Sequence, residues 1–94
     1  MTADYARVHG YVSGRVQGVG FRYFTQDIAA QYDVRGWVKN LPDGRVEFVA
    51  EGPKGMLNDF VKTINRGPVA GYVSALNITW EKYVGEYKSF RIRF

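Results

Sequence analysis

Apolar and polar positions alternate from the first residues of the chain: Ala6, Val8, Gly10 and Val12 against Arg7, His9 and Tyr11. A period of two is what a half-buried strand requires, one face turned to a core and the other to water. The next stretch, Gly14-Arg15-Val16-Gln17-Gly18-Val19-Gly20, is too rich in glycine to continue a strand, and it reads as a loop. Phe21, Phe24, Thr25, Ile28, Ala29 and Tyr32 then recur at spacings of three and four, the apolar stripe of a helix that ends at Asp33. Alternation returns at Val34, Gly36 and Val38, and again at Val46, Phe48 and Ala50, predicting two more strands. Leu41-Pro42-Asp43-Gly44 between them has the residues of a tight turn, which makes the pair a hairpin.

Pro53 suits the first turn of a second helix, where its missing N–H costs little, and Leu57, Phe60, Val61 and Ile64 form that helix's apolar side. Gly67-Pro68 stops it. Val73 to Trp80, rich in β-branched and aromatic residues, reads as a fourth strand. Phe90, Ile92 and Phe94 alternate with Arg91 and Arg93 in a short terminal one, with Gly85 in the turn region before it. The order is βαββαβ with an added C-terminal strand. It predicts an α+β sandwich, an antiparallel sheet with both helices on one face, and right-handed crossovers make it ferredoxin-like. No internal repeat, linker or charge block divides the chain, so residues 1–94 are expected to form one domain.

Composition narrows the chemistry. The 94 residues contain no cysteine and one histidine, His9, which removes thiolate nucleophiles, iron–sulfur clusters and multi-histidine metal sites and makes a Ser-His triad hard to build. The net charge of +4 favours an anionic ligand without reaching the charge of a dedicated nucleic-acid binder. No apolar run approaches the ~20 residues of a membrane span, and MTADYARVHG lacks the hydrophobic core of a secretory signal. A cytoplasmic protein with no membrane partner is expected.

The stretch with most chemical content is Val12 to Arg22. A glycine-rich turn between a strand and a helix directs backbone N–H groups into one concavity, and a helix N-terminus behind it favours negative charge. Arg15 raises the local potential, and Arg22, in the helix, can aim a planar guanidinium fork at the same anion. The pattern is neither a Walker A loop nor a GxGxxG dinucleotide motif, so neither nucleoside triphosphates nor magnesium are implied. On spacing alone, glycines that merely permit the turn and arginines that are merely solvated remain an alternative. Asn40, at the end of the second strand, has an amide that donates and accepts without titrating and could orient a water, or it could simply open a turn.

These segments resemble the acylphosphatase family over nearly the whole chain. Gly14 to Arg22 is similar to the family's loop signature, G-x-V-Q-G-V-x-F-R, at every specified position, and GWVKNLPDGRVEFVAEG, Gly36 to Gly52, is similar to its second signature. The resemblance implies a ferredoxin-like fold, hydrolysis of a carboxyl–phosphate bond and no cofactor. It implies Arg22 as the phosphate-binding catalytic arginine and Asn40 as the residue that positions water, with Arg15, Val16, Gln17, Gly18, Val19 and Gly20 forming the substrate loop. A small acyl phosphate is then the expected partner, inorganic phosphate the product and competitive inhibitor, and a monomer the expected state.

Two other classes share the pattern. An RRM-like RNA-binding module has the same element order and would use aromatics such as Tyr11 and Trp37 on the open sheet face. The third strand opposes it, since Glu47 and Glu51 point outward and Phe48 inward, and the RNP1 pattern is absent. A non-catalytic domain that senses a phosphorylated metabolite would use the same cradle without hydrolysis. His9 is read as an exposed strand residue, and Arg91 and Arg93 as the solvated face of an edge strand.

Overall fold

A computed structural model describes residues 4–94; Met1 to Ala3, part of the N-terminal stretch read for a signal and of the expected 1–94 domain, lie outside the described residues. The elements run β1 (Tyr5–Arg15), α1 (Phe21–Gln31), β2 (Arg35–Asn40), β3 (Val46–Pro53), α2 (Lys54–Arg66), β4 (Tyr72–Glu81) and β5 (Phe90–Arg93). They form a five-stranded sheet in the order β4-β1-β3-β2-β5. The expected ferredoxin-like βαββαβ arrangement with its extra strand is therefore present.

The core follows the alternation. Val8 and Val12 of β1, Val38 of β2, Val46, Phe48 and Ala50 of β3 turn to the helices, where Phe21, Ile28, Ala29, Leu57, Phe60 and Ile64 meet them. Phe60 stands edge-on to Phe48 with centroids 5.7 Å apart and tilted to Phe90 at 5.9 Å, so one aromatic of α2 ties the middle of the sheet to its far edge. Among the described residues no helix is long and apolar enough to cross a membrane.

Three details depart from the sequence reading. β1 does not stop at Gly14. It continues to Arg15 through a bulge between Ser13 and Gly14, because Gly14 at φ 122° fits where any Cβ would strike the Tyr72 carbonyl. Pro53 ends β3 and caps α2 from outside, at φ −59° and ψ 137°, rather than lying in the helix. The sheet, expected to be antiparallel, is mixed: β1, β3, β4 and β2 pair antiparallel, but β5 adds to β2 in parallel.

That last difference has a topological cause. β4 and β5 sit at opposite edges, so residues 82–89 must cross the open face of the sheet to join them. The crossing is built from the outward residues of the strands beneath it. Glu51 of β3, buried despite its charge, accepts the N–H of Val84 at 2.8 Å and of Gly85 at 3.1 Å. Arg7 of β1 donates to Glu86 at 2.8 Å and to the Tyr87 hydroxyl at 3.1 Å, and Trp37 of β2 donates its indole N–H to the same hydroxyl at 3.1 Å.

Candidate active site

The loop between β1 and α1 is held by its side chains and left open along its main chain. Val16, only 1% exposed, is sunk in the core, and Val19 packs against the core's margin. Between them Gln17 turns the other way, its Nε2 donating to the carbonyls of Leu41 at 2.8 Å and Arg45 at 2.9 Å in the β2–β3 hairpin. Gly18 and Gly20 have φ of 76° and 75°, the left-handed region that side chains strain to enter, with open space where a Cβ would project. No N–H from Val16 to Gly20 donates to a protein acceptor outside the regular elements among the described residues.

α1 starts directly behind this loop. Its first helical bond is Phe24 N–H to the Gly20 carbonyl, at 2.9 Å, which leaves the N–H groups of Phe21, Arg22 and Tyr23 without helical partners. Gly20 offers no side-chain cap and the first turn contains no acidic residue. Uncompensated partial positive charge at the N-terminus, continuous with free loop amides, is a physical description of an oxyanion site. The arginines add to it, since neither Arg15 nor Arg22 is in an ion pair among the described residues. The Arg22 guanidinium instead stacks on the ring of Phe94.

Asn40 ends β2, paired in register with Val46, at the same end of the sheet from which the β1–α1 loop leaves. Its Oδ1 is buried with no hydrogen-bond partner among the described residues. An unpaired buried amide costs about 1–3 kcal/mol, a penalty proteins retain where a ligand or water completes the bond. A cavity of about 150 Å³ brings these features together, lined by Val16, Gly18, Gly20, Phe21, Arg22, Tyr23 and Asn40. Arg15, Gln17 and Val19 are not among its lining residues, and the Gln17 side chain faces the hairpin. Phe21 and Tyr23 also line it, though the sequence reading assigned neither to the site. Phe21 hides behind its role in the helix stripe, whereas Tyr23, exposed in an otherwise amphipathic helix, was the available signal.

No aspartate, glutamate or histidine lines the cavity. His9 lies on the open face, its Nε2 2.6 Å from Glu47 Oε2 and its Nδ1 3.6 Å from Glu81. The aromatic platform an RRM-like reading needs is likewise engaged: Trp37 is 8% exposed, under Tyr87 and with the Arg93 guanidinium 4.7 Å from its ring.

A ferredoxin-like sandwich with an uncapped helix, a glycine loop and an arginine outside any ion pair among the described residues defines a small α+β protein with an electropositive cavity at one end of its sheet. The acylphosphatase family model matches residues 8–92. An acylphosphatase of Syntrophotalea carbinolica is 46% identical over 88 residues, 94% of this chain and 96% of that one. One from Pyrobaculum islandicum is 45% identical over 87 residues, 92% of each. The crystal structure of acylphosphatase from Bacillus subtilis has a TM-score of 0.92 at 40% identity, covering 95% of this chain and 99% of that chain. The chain belongs to the acylphosphatase family.

Proposed function

We propose that the protein hydrolyses small acyl phosphates to a carboxylate and inorganic phosphate, with Arg22 and Asn40 as its catalytic residues. The observation that carries this reading is the single cavity in which an unpaired arginine, a helix N-terminus and an unpaired asparagine amide converge. The main chain from Arg15 to Gly20 forms the cradle: Val16, Gly18 and Gly20 line the cavity, Val16 and Val19 peg the loop to the core, and Gln17 links it to the hairpin.

The absence of acids and bases from the cavity lining suits this substrate. An acyl phosphate is a mixed anhydride whose leaving carboxylate has a pKa of about 4, so it departs at neutral pH without a proton from the enzyme. What remains is to hold the phosphoryl group, to stabilise charge on its equatorial oxygens and to place a water in line. Loop amides, helix N-terminus and Arg22 do the first two, and the Asn40 amide does the third. Water oxygen bonds to phosphorus as the phosphorus–acyl oxygen bond breaks, the carboxylate takes the electron pair, and a phosphate oxygen of the substrate accepts the water's proton. No step requires a metal.

Two further parts of the reading rest on the same architecture. One core joins all seven elements, which supports a single domain. The cavity is complete within one chain, which supports a monomer as the working unit. The deciding experiment is steady-state hydrolysis of benzoyl phosphate and acetyl phosphate beside p-nitrophenyl phosphate, in the presence of excess chelator. Turnover of the two anhydrides and not of the ester is the expected result. Binding of inorganic phosphate without turnover of either anhydride would leave an anion sensor instead.

A further inference from the structure

We infer that the side chain of Gln17 is a positioning residue for the hydrolytic step, fixing the distance between the phosphoryl cradle and Asn40. The inference rests on the proposed role of Asn40 and deepens it. In-line attack requires two positions to be set independently of the substrate: phosphorus, by the loop and Arg22, and the water, by Asn40. These parts belong to different elements. The loop is pegged to the core by Val16 and Val19, whereas Asn40 is the last residue of β2, where the hairpin leaves the sheet.

Gln17 is the side-chain tie between them. Its two N–H groups reach the carbonyls of Leu41 and Arg45 at 2.8 and 2.9 Å. Those residues close the hairpin, since Leu41 N–H also donates to the Arg45 carbonyl at 2.8 Å, and Leu41 is bonded directly to Asn40. The primary amide is matched to the task. It supplies two donors diverging from one nitrogen, needs no charge, and so leaves the field at the phosphate to Arg22 and the backbone. The side chain lies outside the cavity lining, so it acts on the reaction through geometry and not by touching substrate.

A residue that only stabilised the hairpin would lower thermal stability and leave turnover intact. A positioning residue must move kcat, and must do so through Asn40. Gln17→Met keeps the length and removes both donors. It is expected to lower kcat for benzoyl phosphate about tenfold, because small misplacements of a reacting group are costly, while KM and the inhibition constant of phosphate change by less than about twofold. In the Asn40→Ala background the same substitution should change kcat by less than about twofold, since the group it positions is gone.

Additive losses in that cycle, or a fall in Tm with wild-type kcat, would overturn the inference while leaving Asn40's role standing. Wild-type turnover by Asn40→Ala alone would overturn both. Gln17→Glu decides the matter should the Met variant not fold. Its ionised carboxylate cannot donate to the two carbonyls and its protonated form can donate to one. The ratio of its kcat to that of wild type should therefore rise as pH falls, and a flat ratio overturns the proposal.

Discussion

The guanidinium carbon of Arg22 lies 4.9 Å from the centroid of the Phe94 ring, so the arginine of the cradle is seated on an aromatic just beyond β5. Contact with an aromatic ring occupies no N–H donor, so the guanidinium's hydrogen-bonding capacity is kept. Phe94 is 95% exposed, which limits the contact to about 0.5–1 kcal/mol. Phe94→Ala should therefore raise the inhibition constant of inorganic phosphate by no more than about fivefold and leave kcat unchanged, as measured by competition against benzoyl phosphate.

The two catalytic assignments separate kinetically. Arg22→Lys keeps a positive charge and loses the planar fork, so both KM and kcat should suffer, with kcat/KM down by about 10² or more. Asn40→Ala should lower kcat on the order of 10² with KM nearly unchanged, because it removes a group used in the transition state. A higher KM with unaltered kcat for Asn40→Ala would assign it to binding instead.

His9 provides the control for pH. It is engaged by Glu47 and Glu81 on the sheet face away from the helices and does not line the cavity. His9→Gln should keep kcat/KM within about twofold of wild type, and the pH–rate profiles of the two proteins should superimpose. A profile limb lost in the variant would place a titrating base in the reaction.

Acid stability should depend on the crossing segment. The Glu86 carboxyl is held below its ordinary value of 4.5, first by the hydrogen bond from Arg7 and then by one with Tyr87. The folded state thus binds this proton less readily than the unfolded one, so the contribution is present above pH 4.5 and is lost as pH falls through the lowered folded value. Denaturant melts of Glu86→Gln should run closer to wild type at pH 3 than at pH 7, a comparison on the order of one Arg–carboxylate pair.

Glu51 should matter more, and for folding only. Replacing it with alanine strips the acceptors from two amides of the crossing segment and removes one of the three carboxylates around Arg7, which keeps Glu81 and Glu86. The expected loss is about 2–4 kcal/mol, or roughly 10 °C or more in Tm, with kcat for benzoyl phosphate preserved below the transition.

The helix stripes, the inward valines and the glycine loop were legible in the sequence because each is a local pattern with one physical meaning. Phe48 pointing in and Glu47 pointing out follows from a period of two. What was not legible depends on partners far along the chain. Gly14 reads as a strand breaker until the Tyr72 carbonyl is placed against it. Glu51 reads as a solvated charge until residues 82–89 are laid over it. The direction of β5 is likewise set by which edge remained free, and nothing in Phe90 to Arg93 encodes it. At the site, Arg22 and Asn40 were legible as candidates, but the side chain of Gln17 was not. Its partners are main-chain carbonyls, which leave no trace in residue identity.

The strand order has a kinetic consequence. β1 sits second from one edge, and its outer neighbour, β4, begins 57 residues after β1 ends. Little of the sheet can be stabilised by near-neighbour closure alone. The entropy of joining distant segments must be spent before most of the core forms, which places the chain among slow-folding topologies rather than those built from local contacts. Emerging from a ribosome, β1 and the glycine loop that follows it have their outer neighbour, β4, only once nearly the whole chain has been made.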